Sequence, residues 1–225
     1  MLPVPSSDAP SAADLLRRYV AGDAQEAFTA IVHRRVDLVY SVALRQCGGD
    51  QHLAEDVTQK VFADLARKAT QLIDRPVLSG WLYRSAQFAA SDVVRSERRR
   101  RNREQESQAM HEISKPADNS AHWERLRPLL DEALGELSEA DRDAVALRFF
   151  EGRAFAEIGR ALRLTEESAR KRVDRAVGKL AGVLSEGGVT STAAALGVAL
   201  GNHALVSAPA GLAAAVSGVA LSAGT

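Results

Sequence analysis

EIGRALRLTEESARKRVDRA, residues 157–176, decides the fold. Residues 157–162 make one short helix, Arg163-Leu164 a tight connection, and Thr165 the N-cap of a helix that runs to about Leu184; together they spell a helix-turn-helix. At about 100° per residue, Ala169, Val173, Ala176, Leu180 and Leu184 form one narrow apolar stripe, while Ser168, Lys171, Arg172, Arg175 and Lys179 cluster opposite. A helix held by one face offers the other outward. Such a face suits the major groove, where Arg or Lys donates to guanine, and equally suits phosphates, where the same side chains only position. Glu166 and Glu167 favour the helix N-terminus but repel phosphate, so reading residues are expected from Ser168 onward. The bland alternative is a solvated basic face, the usual fate of a charge run.

Upstream, AEDVTQKVFADLARK at residues 54–68 is a second informative helix. Gly48-Gly49 ends the helix before it and Asp50 is placed to cap it; its apolar stripe is Leu53 or Ala54, Val57, Val61 and Leu65, with Phe62 on the flank. The exposed face opposite, Asp56, Gln59, Lys60, Ala63 and Arg67, carries mixed charge and is no nucleic-acid patch; it either recognises another helix or is simply solvated. Before it, Leu15, Leu16, Tyr19 and Val20 recur at helical spacing and stop at Gly22-Asp23, and a longer run takes in Phe28, Ile31, Val32, Val36, Val39, Tyr40 and Leu44. After it, a loop over residues 68–79 contains Pro76, and Trp81 opens a helix that runs into SERRRRNRE at residues 96–104. That helix sets Trp81, Tyr83, Arg84, Gln87 and Phe88 beside an arginine cluster. Opened DNA wants that mixture, because unpaired bases gain about 1 to 3 kcal/mol each by stacking on aromatic rings while Arg supplies charge for the backbone. The rings can also be core, and Phe88 is more expected than Trp81 to be buried.

The chain has 225 residues, a formal net charge of zero and 46% apolar residues, so it is globular, with room for one large or two small domains, and any nucleic-acid affinity rests on local charge. Cys47 is alone, which excludes an internal disulfide and a cysteine-rich metal site. With no Ser-His-Asp set, phosphate loop or metal-ligand spacing, and with five scattered histidines, no catalytic residue, metal or cofactor is expected. The start, MLPVPSSDAPSAAD, lacks a basic segment leading into an apolar run and does not read as a signal peptide; a reducing cytoplasm fits. The periodicity is helical almost throughout, which makes the fold all-α: two helical domains joined by a flexible linker, plus a C-terminal helical hairpin. Residues 1–11 are a disordered lead-in, 12–104 the first domain, 105–122 a polar linker with Pro116, and 123–185 the second domain. In that second domain Ser138 with Asp141 resembles a capping box, an apolar run follows through Val145, Leu147, Phe149 and Phe150, and Gly152 is a stop. Residues 186–225 are an extension without a charged side chain from Gly187 on. There Gly187-Gly188 breaks the preceding helix, residues 190–206 form one helix, and Pro209 favours the start of another ending near Ser222. Its Gly, Ser, Asn202 and His203 make it a poor membrane span.

In this order and spacing the chain resembles the two regions of an extracytoplasmic-function (ECF) sigma factor, the compact class of bacterial promoter-recognition subunit. The resemblance covers residues 14–184. In the first region it lies in Gly22-Asp23 with Ala27-Phe28, Ala54-Glu55-Asp56, Gln59, Val61-Phe62, Trp81-Leu82, Ala86, Asp92, and Arg95 with the arginines after it; in the second, in Leu137-Ser138, Arg142, Leu147-Arg148, Glu157-Ile158, Ser168, Arg172, Arg175-Ala176 and Leu180. It implies that Asp56, Gln59, Lys60 and Ala63 dock on the clamp helices of core RNA polymerase. It implies that Trp81, Arg84, Gln87, Phe88, Ser91, Asp92, Arg95, Arg98 and Arg99 melt and read the minus-ten promoter element, and that Ser168, Lys171, Arg172, Arg175 and Lys179 read the minus-thirty-five element. Catalysis then belongs to the polymerase, and no small-molecule substrate is expected. Phe88 stands where these factors commonly carry Asn, and Ala169 where a larger apolar residue is usual; a phenyl ring stacks but lacks the amide's hydrogen bonds, so no promoter sequence is implied. Regulation falls either to an anti-sigma partner or to the chain's own extension packed on its domains, the plain alternative being a stabilising appendage. For the whole chain the alternatives are a stand-alone helix-turn-helix regulator with a helical dimerisation domain, and a mimic that merely occupies polymerase.

Overall fold

The computed structural model of the chain describes residues 10–105 except 23 and 76, residues 130–186 except 132, positions 193, 196, 197 and 200, and residues 205–223. Four helices come first: α1 (Ala12–Val20), α2 (Ala24–Gln46), α3 (Gln51–Leu72) and α4 (Leu78–Gln105). Helical residues at 133–136 lead to α5 (Glu139–Val145), which continues as a π-helical turn (Ala146–Phe150), then α6 (Phe155–Leu162), α7 (Glu166–Glu186) and α8 (Leu212–Ala223). No strand occurs among the described residues.

Local chemistry sets the helix ends. Ser11 and Asp14 cap α1 reciprocally: the Asp14 N–H donates to Ser11 Oγ at 3.1 Å and the Ser11 N–H to Asp14 Oδ2 at 3.2 Å. Asp50 caps α3 by accepting from the Leu53 N–H at 3.1 Å. Gly48 and Gly49 before it sit at φ 66° and 89°, the left-handed region that lets α2 stop within a tight turn. Where the sequence places a loop over residues 68–79, α3 runs on to Leu72 and α4 already begins at Leu78, ahead of Trp81. Pro76 blocks a helix from running through itself and disfavours helix at the residue before it, so nothing obliges α3 to stop as early as Lys68.

Leu15, Leu16, Phe28, Ile31, Val39, Val57, Val61, Leu65 and Leu82, at most 2% exposed, fill the bundle of α1 to α4. Each such side chain contributes about 1.5–3 kcal/mol by leaving water. Phe62, expected on the flank of α3, is fully buried, because α3 is packed by α1, α2, α4 and α8 and its buried arc is wider than one stripe.

The second helical unit lies against the first. α5 and its π turn pack on α4, and the Phe150 ring stacks on Tyr83 at 5.7 Å and 13°. The linker expected between them falls outside the described residues from 106 on. Gly80 of α4 approaches Asp143 so closely that a Cβ would collide with Asp143 Oδ1, a buried oxygen without a hydrogen-bond partner. Burial pushes the Asp143 carboxyl up to about 6, with Arg75 and Arg142 pulling it down and Glu139 and Glu151 adding to the rise. The folded chain therefore holds this proton more tightly than the unfolded chain, so the cost of the carboxylate is absent below about pH 4 and complete above about pH 6. Asp143→Asn is expected to raise unfolding stability at pH 7.5 by up to about 3 kcal/mol and to change it little at pH 4, as denaturant melts at the two pH values would show. A loss of stability at pH 7.5 would contradict this.

In the extension, positions 193, 196, 197 and 200 are helical, Leu196 and Leu200 are buried, and α8 packs on α2 and α3. The first helix does not reach Val206 as the sequence suggests, because residues 205–209 are non-helical. Ser41 Oγ of α2 accepts the Val206 N–H at 2.6 Å and donates to the Val206 carbonyl at 3.1 Å, and Asp37 Oδ1 accepts the Ala208 N–H at 2.8 Å. Pro209 disfavours helix at Ala208, and α8 starts after Gly211, later than Pro209. No described helix is long and apolar enough to cross a membrane.

Candidate nucleic-acid interface

The helix-turn-helix forms over α6 and α7. Arg163 takes the left-handed conformation at φ 56°, and the Leu164 N–H closes the turn onto the Gly159 carbonyl at 2.7 Å. Thr165 then caps α7, its hydroxyl accepting the Ser168 N–H at 3.2 Å. Ala169, Val173, Ala176, Leu180 and Leu184 are all buried. On the other side Ser168, Lys171, Arg175 and Lys179 are exposed and Arg172 is half-buried. Two of the cations pair with carboxylates, Lys171 with Glu167 at 2.7 Å and Lys179 with Asp141 of α5 at 2.7 Å, and Arg175 donates to the Lys171 carbonyl at 3.3 Å. Burial works against the Asp141 carboxylate, but Lys179 and Ser138 hold it below its ordinary value. Ser138 caps α5 through the Asp141 N–H at 3.2 Å, while the Asp141 carboxylate goes to Lys179. Phe155 carries a guanidinium on its ring from Arg148 at 4.7 Å and from Arg170 at 4.6 Å, which fixes the start of α6 to α7.

On α4 the expected DNA residues divide. Phe88 is 59% exposed, against its expected burial, because it lies opposite the stripe of Leu82, Ala86 and Ala89 that faces the bundle. The Arg84 guanidinium sits 5.1 Å from its ring centre. Ser91, Asp92 and Arg95 are exposed, with Arg95 to Asp92 at 3.3 Å, and Trp81 is half-buried against the core. Gln87 turns the other way, half-buried and donating to the Asp131 carbonyl at 2.6 Å. Tyr83 is fully buried; burial and the Asp131 carboxylate raise its pKa well above the ordinary value, so it stays a hydroxyl donor. The side chains of Arg98 and Arg99 lie outside the described ones.

On α3, Asp56 and Lys60 are exposed and Gln59 is half-buried. Ala63, expected on the exposed face, is only 9% exposed. Its methyl is short beside Gln59, Lys60 and Arg67 one turn away, and long neighbours shade a small residue.

Residues 31–100 match the family model for Sigma-70 region 2, and residues 133–181 match the model for Sigma-70, region 4. The RNA polymerase sigma factor CarQ of Myxococcus xanthus is 30% identical over 164 residues, which cover 72% of this chain and 92% of CarQ. The chain is an ECF sigma factor of the sigma-70 family. Two further relatives agree: the ECF RNA polymerase sigma factor SigE of Mycolicibacterium smegmatis is 32% identical over 68% of this chain and 59% of SigE, and BldN of Streptomyces coelicolor, also an ECF RNA polymerase sigma factor, is 27% identical over 82% of this chain and 70% of BldN.

The region 2 match sets this sigma factor apart from a stand-alone helix-turn-helix regulator, which needs no such domain. Region 2 holds α3 and most of α4, and region 4 holds α5, α6 and most of α7, so the sites expected from the sequence lie within the two matched regions. Sequence reading passed over two residues of the sigma factor. Gly159 lies at the crossing of α6 with the turn, where a glycine inside a short helix was the available signal. Asp131, two residues before the region 4 match, is bonded to Arg45 and Tyr83 of region 2 and carried no local signal at all.

Proposed function

We propose that this sigma factor acts in the cytoplasm, without catalysis of its own, by binding core RNA polymerase through the outward face of α3 at Asp56, Gln59 and Lys60, with the largely buried Ala63 beside them. The outward face of α4 takes the opened minus-ten strand, and α7 reads the minus-thirty-five element. The observation that best supports this is the outward pairing of Arg84 with the exposed Phe88 ring, beside Trp81. In closed duplex an exposed ring finds at most a thymine methyl, whereas an unstacked base offers it a whole face to stack on. Mixed with bacterial core RNA polymerase, the purified chain is expected to form a complex stable to gel filtration, and D56A/Q59A to weaken it by about tenfold, the loss of one modest interface anchor. Failure of the parent chain to bind any core polymerase would overturn the reading.

The extension serves as a built-in regulator on this reading. α8 packs on α3, the helix assigned to polymerase, and the strap over residues 205–208 is tied to α2 by Ser41 and Asp37. Loosening the strap with D37A/S41A removes hydrogen bonds worth about 1 kcal/mol each and leaves the apolar core in place. Half-maximal transcription is expected at about fivefold lower sigma factor concentration. Identical titration curves would make the extension a stabilising appendage.

A further inference from the structure

Asp131 is a fully buried carboxylate whose partners come from the other half of the chain. Arg45 of α2 donates from Nε to Oδ2 at 3.1 Å and from Nη2 to Oδ1 at 3.2 Å, and the Tyr83 hydroxyl of α4 donates to Oδ1. Further pairs cross the same divide: the Glu151 side chain is buried, pairs with Arg35 of α2 at 2.9 Å and accepts from Ser79 of α4, and nearer the surface Arg75 pairs with Glu139 of α5. The two sigma regions are thus joined by buried ions as well as by the Tyr83 to Phe150 stack. Complete, such a pair roughly offsets its own desolvation; with one partner missing, the remaining charge is strongly penalised. A joint of that kind is either closed or apart, with little between.

Closure conflicts with the work assigned to both regions. Gln87, expected at the minus-ten element, is held by the Asp131 carbonyl. The two promoter elements lie about 25 base pairs apart, about 85 Å at about 3.4 Å per base pair. A compact chain of this length is about 45 Å across. Regions packed on one another cannot reach both elements together. We infer that the Asp131, Arg45 and Tyr83 cluster is an autoinhibitory latch that holds the two regions closed in the free chain and must part before both promoter elements are engaged. The inference rests on the sigma factor reading.

Dyes placed by Q71C and S185C in a C47S background report the closure, since points within a compact chain of this size lie within about 45 Å. High energy transfer is expected in the free full-length chain and low transfer once core polymerase and promoter are added. D131N keeps the side-chain volume but removes the buried carboxylate charge that faces Arg45, and is expected to raise the open fraction about tenfold or more and to lower the concentration for half-maximal transcription by the same factor. Y83F, which keeps the ring on Phe150, is expected to do the same to a smaller degree. Unchanged energy transfer in both variants, at unchanged helix content, would overturn the latch, as would opening that leaves the transcription midpoint where it was. A chain whose transfer falls in D131N but that supports no transcription in any form would overturn the sigma factor reading and leave the joint itself standing.

Discussion

Gly159→Ala is expected to destabilise the helix-turn-helix by about 2–4 kcal/mol, the range of strong steric mutants. A Cβ at this position would stand 2.7 Å from the Leu164 carbonyl oxygen and 3.3 Å from the carbonyl carbon and oxygen of Thr165. All three atoms are backbone, and the backbone there cannot retreat cheaply. Arg163 is held in the left-handed region and the Leu164 N–H is bonded back to Gly159 itself at 2.7 Å. Helix propensity alone argues the opposite, since alanine exceeds glycine by about 1 kcal/mol in a helix interior. Gly178 of α7 isolates that propensity effect, because nothing lies within 4 Å of its added Cβ. Gly178→Ala should stabilise by about 0.5–1 kcal/mol. Thermal and denaturant melts of the two variants should move in opposite directions, and a Gly159→Ala chain as stable as Gly178→Ala would show that the turn yields after all.

The second large effect is on promoter use. Arg172 and Arg175 stand on the outward side of α7, away from the stripe of Val173, Ala176 and Leu180. An Arg that reads guanine discriminates by about 1–3 kcal/mol, so removing both should lower transcription from a matched promoter by about 100-fold or more. Core polymerase binding, assigned to α3, should be unchanged. The salt dependence separates the two kinds of contact. If the guanidinium groups bind phosphate, R172A/R175A weakens binding to every sequence and flattens the salt slope by roughly one unit per residue; if they read bases, the loss is confined to promoters carrying the matched minus-thirty-five element. Full activity of the double variant at all promoters would remove α7 from promoter recognition.

How much of this was legible depended on the range of the interaction. The stripe of α7, the Thr165 and Asp50 caps and the glycine stops are local patterns, and helical periodicity exposes them directly. Phe88 misled because aromatic residues are usually buried, although its angular position on α4 was already opposite the stripe through Leu82 and Ala86. Ala63 misled in the other direction, since helix geometry places a residue on a face but does not say how tall its neighbours stand. The π turn at Ala146–Phe150 adds a residue to one turn and breaks the period that would have revealed it. Asp131 meets Arg45 across 86 residues of sequence, and no window of local pattern spans such a pairing.

The strap over residues 205–208 touches α2 in a way that bears on how this extension can diverge. Ser41 and Asp37 hold main-chain amides and a main-chain carbonyl, groups that almost every amino acid supplies. What α2 recognises there is an extended course of backbone. Side chains at Val206 and Ser207 are exposed and are free to drift between descendants while the mooring persists. Proline at residue 206 or 208 is the exception, because it alone would withdraw a required N–H. The specificity of the attachment thus resides in two polar residues of the sigma factor, and the tethered segment can acquire new surface chemistry without losing its berth.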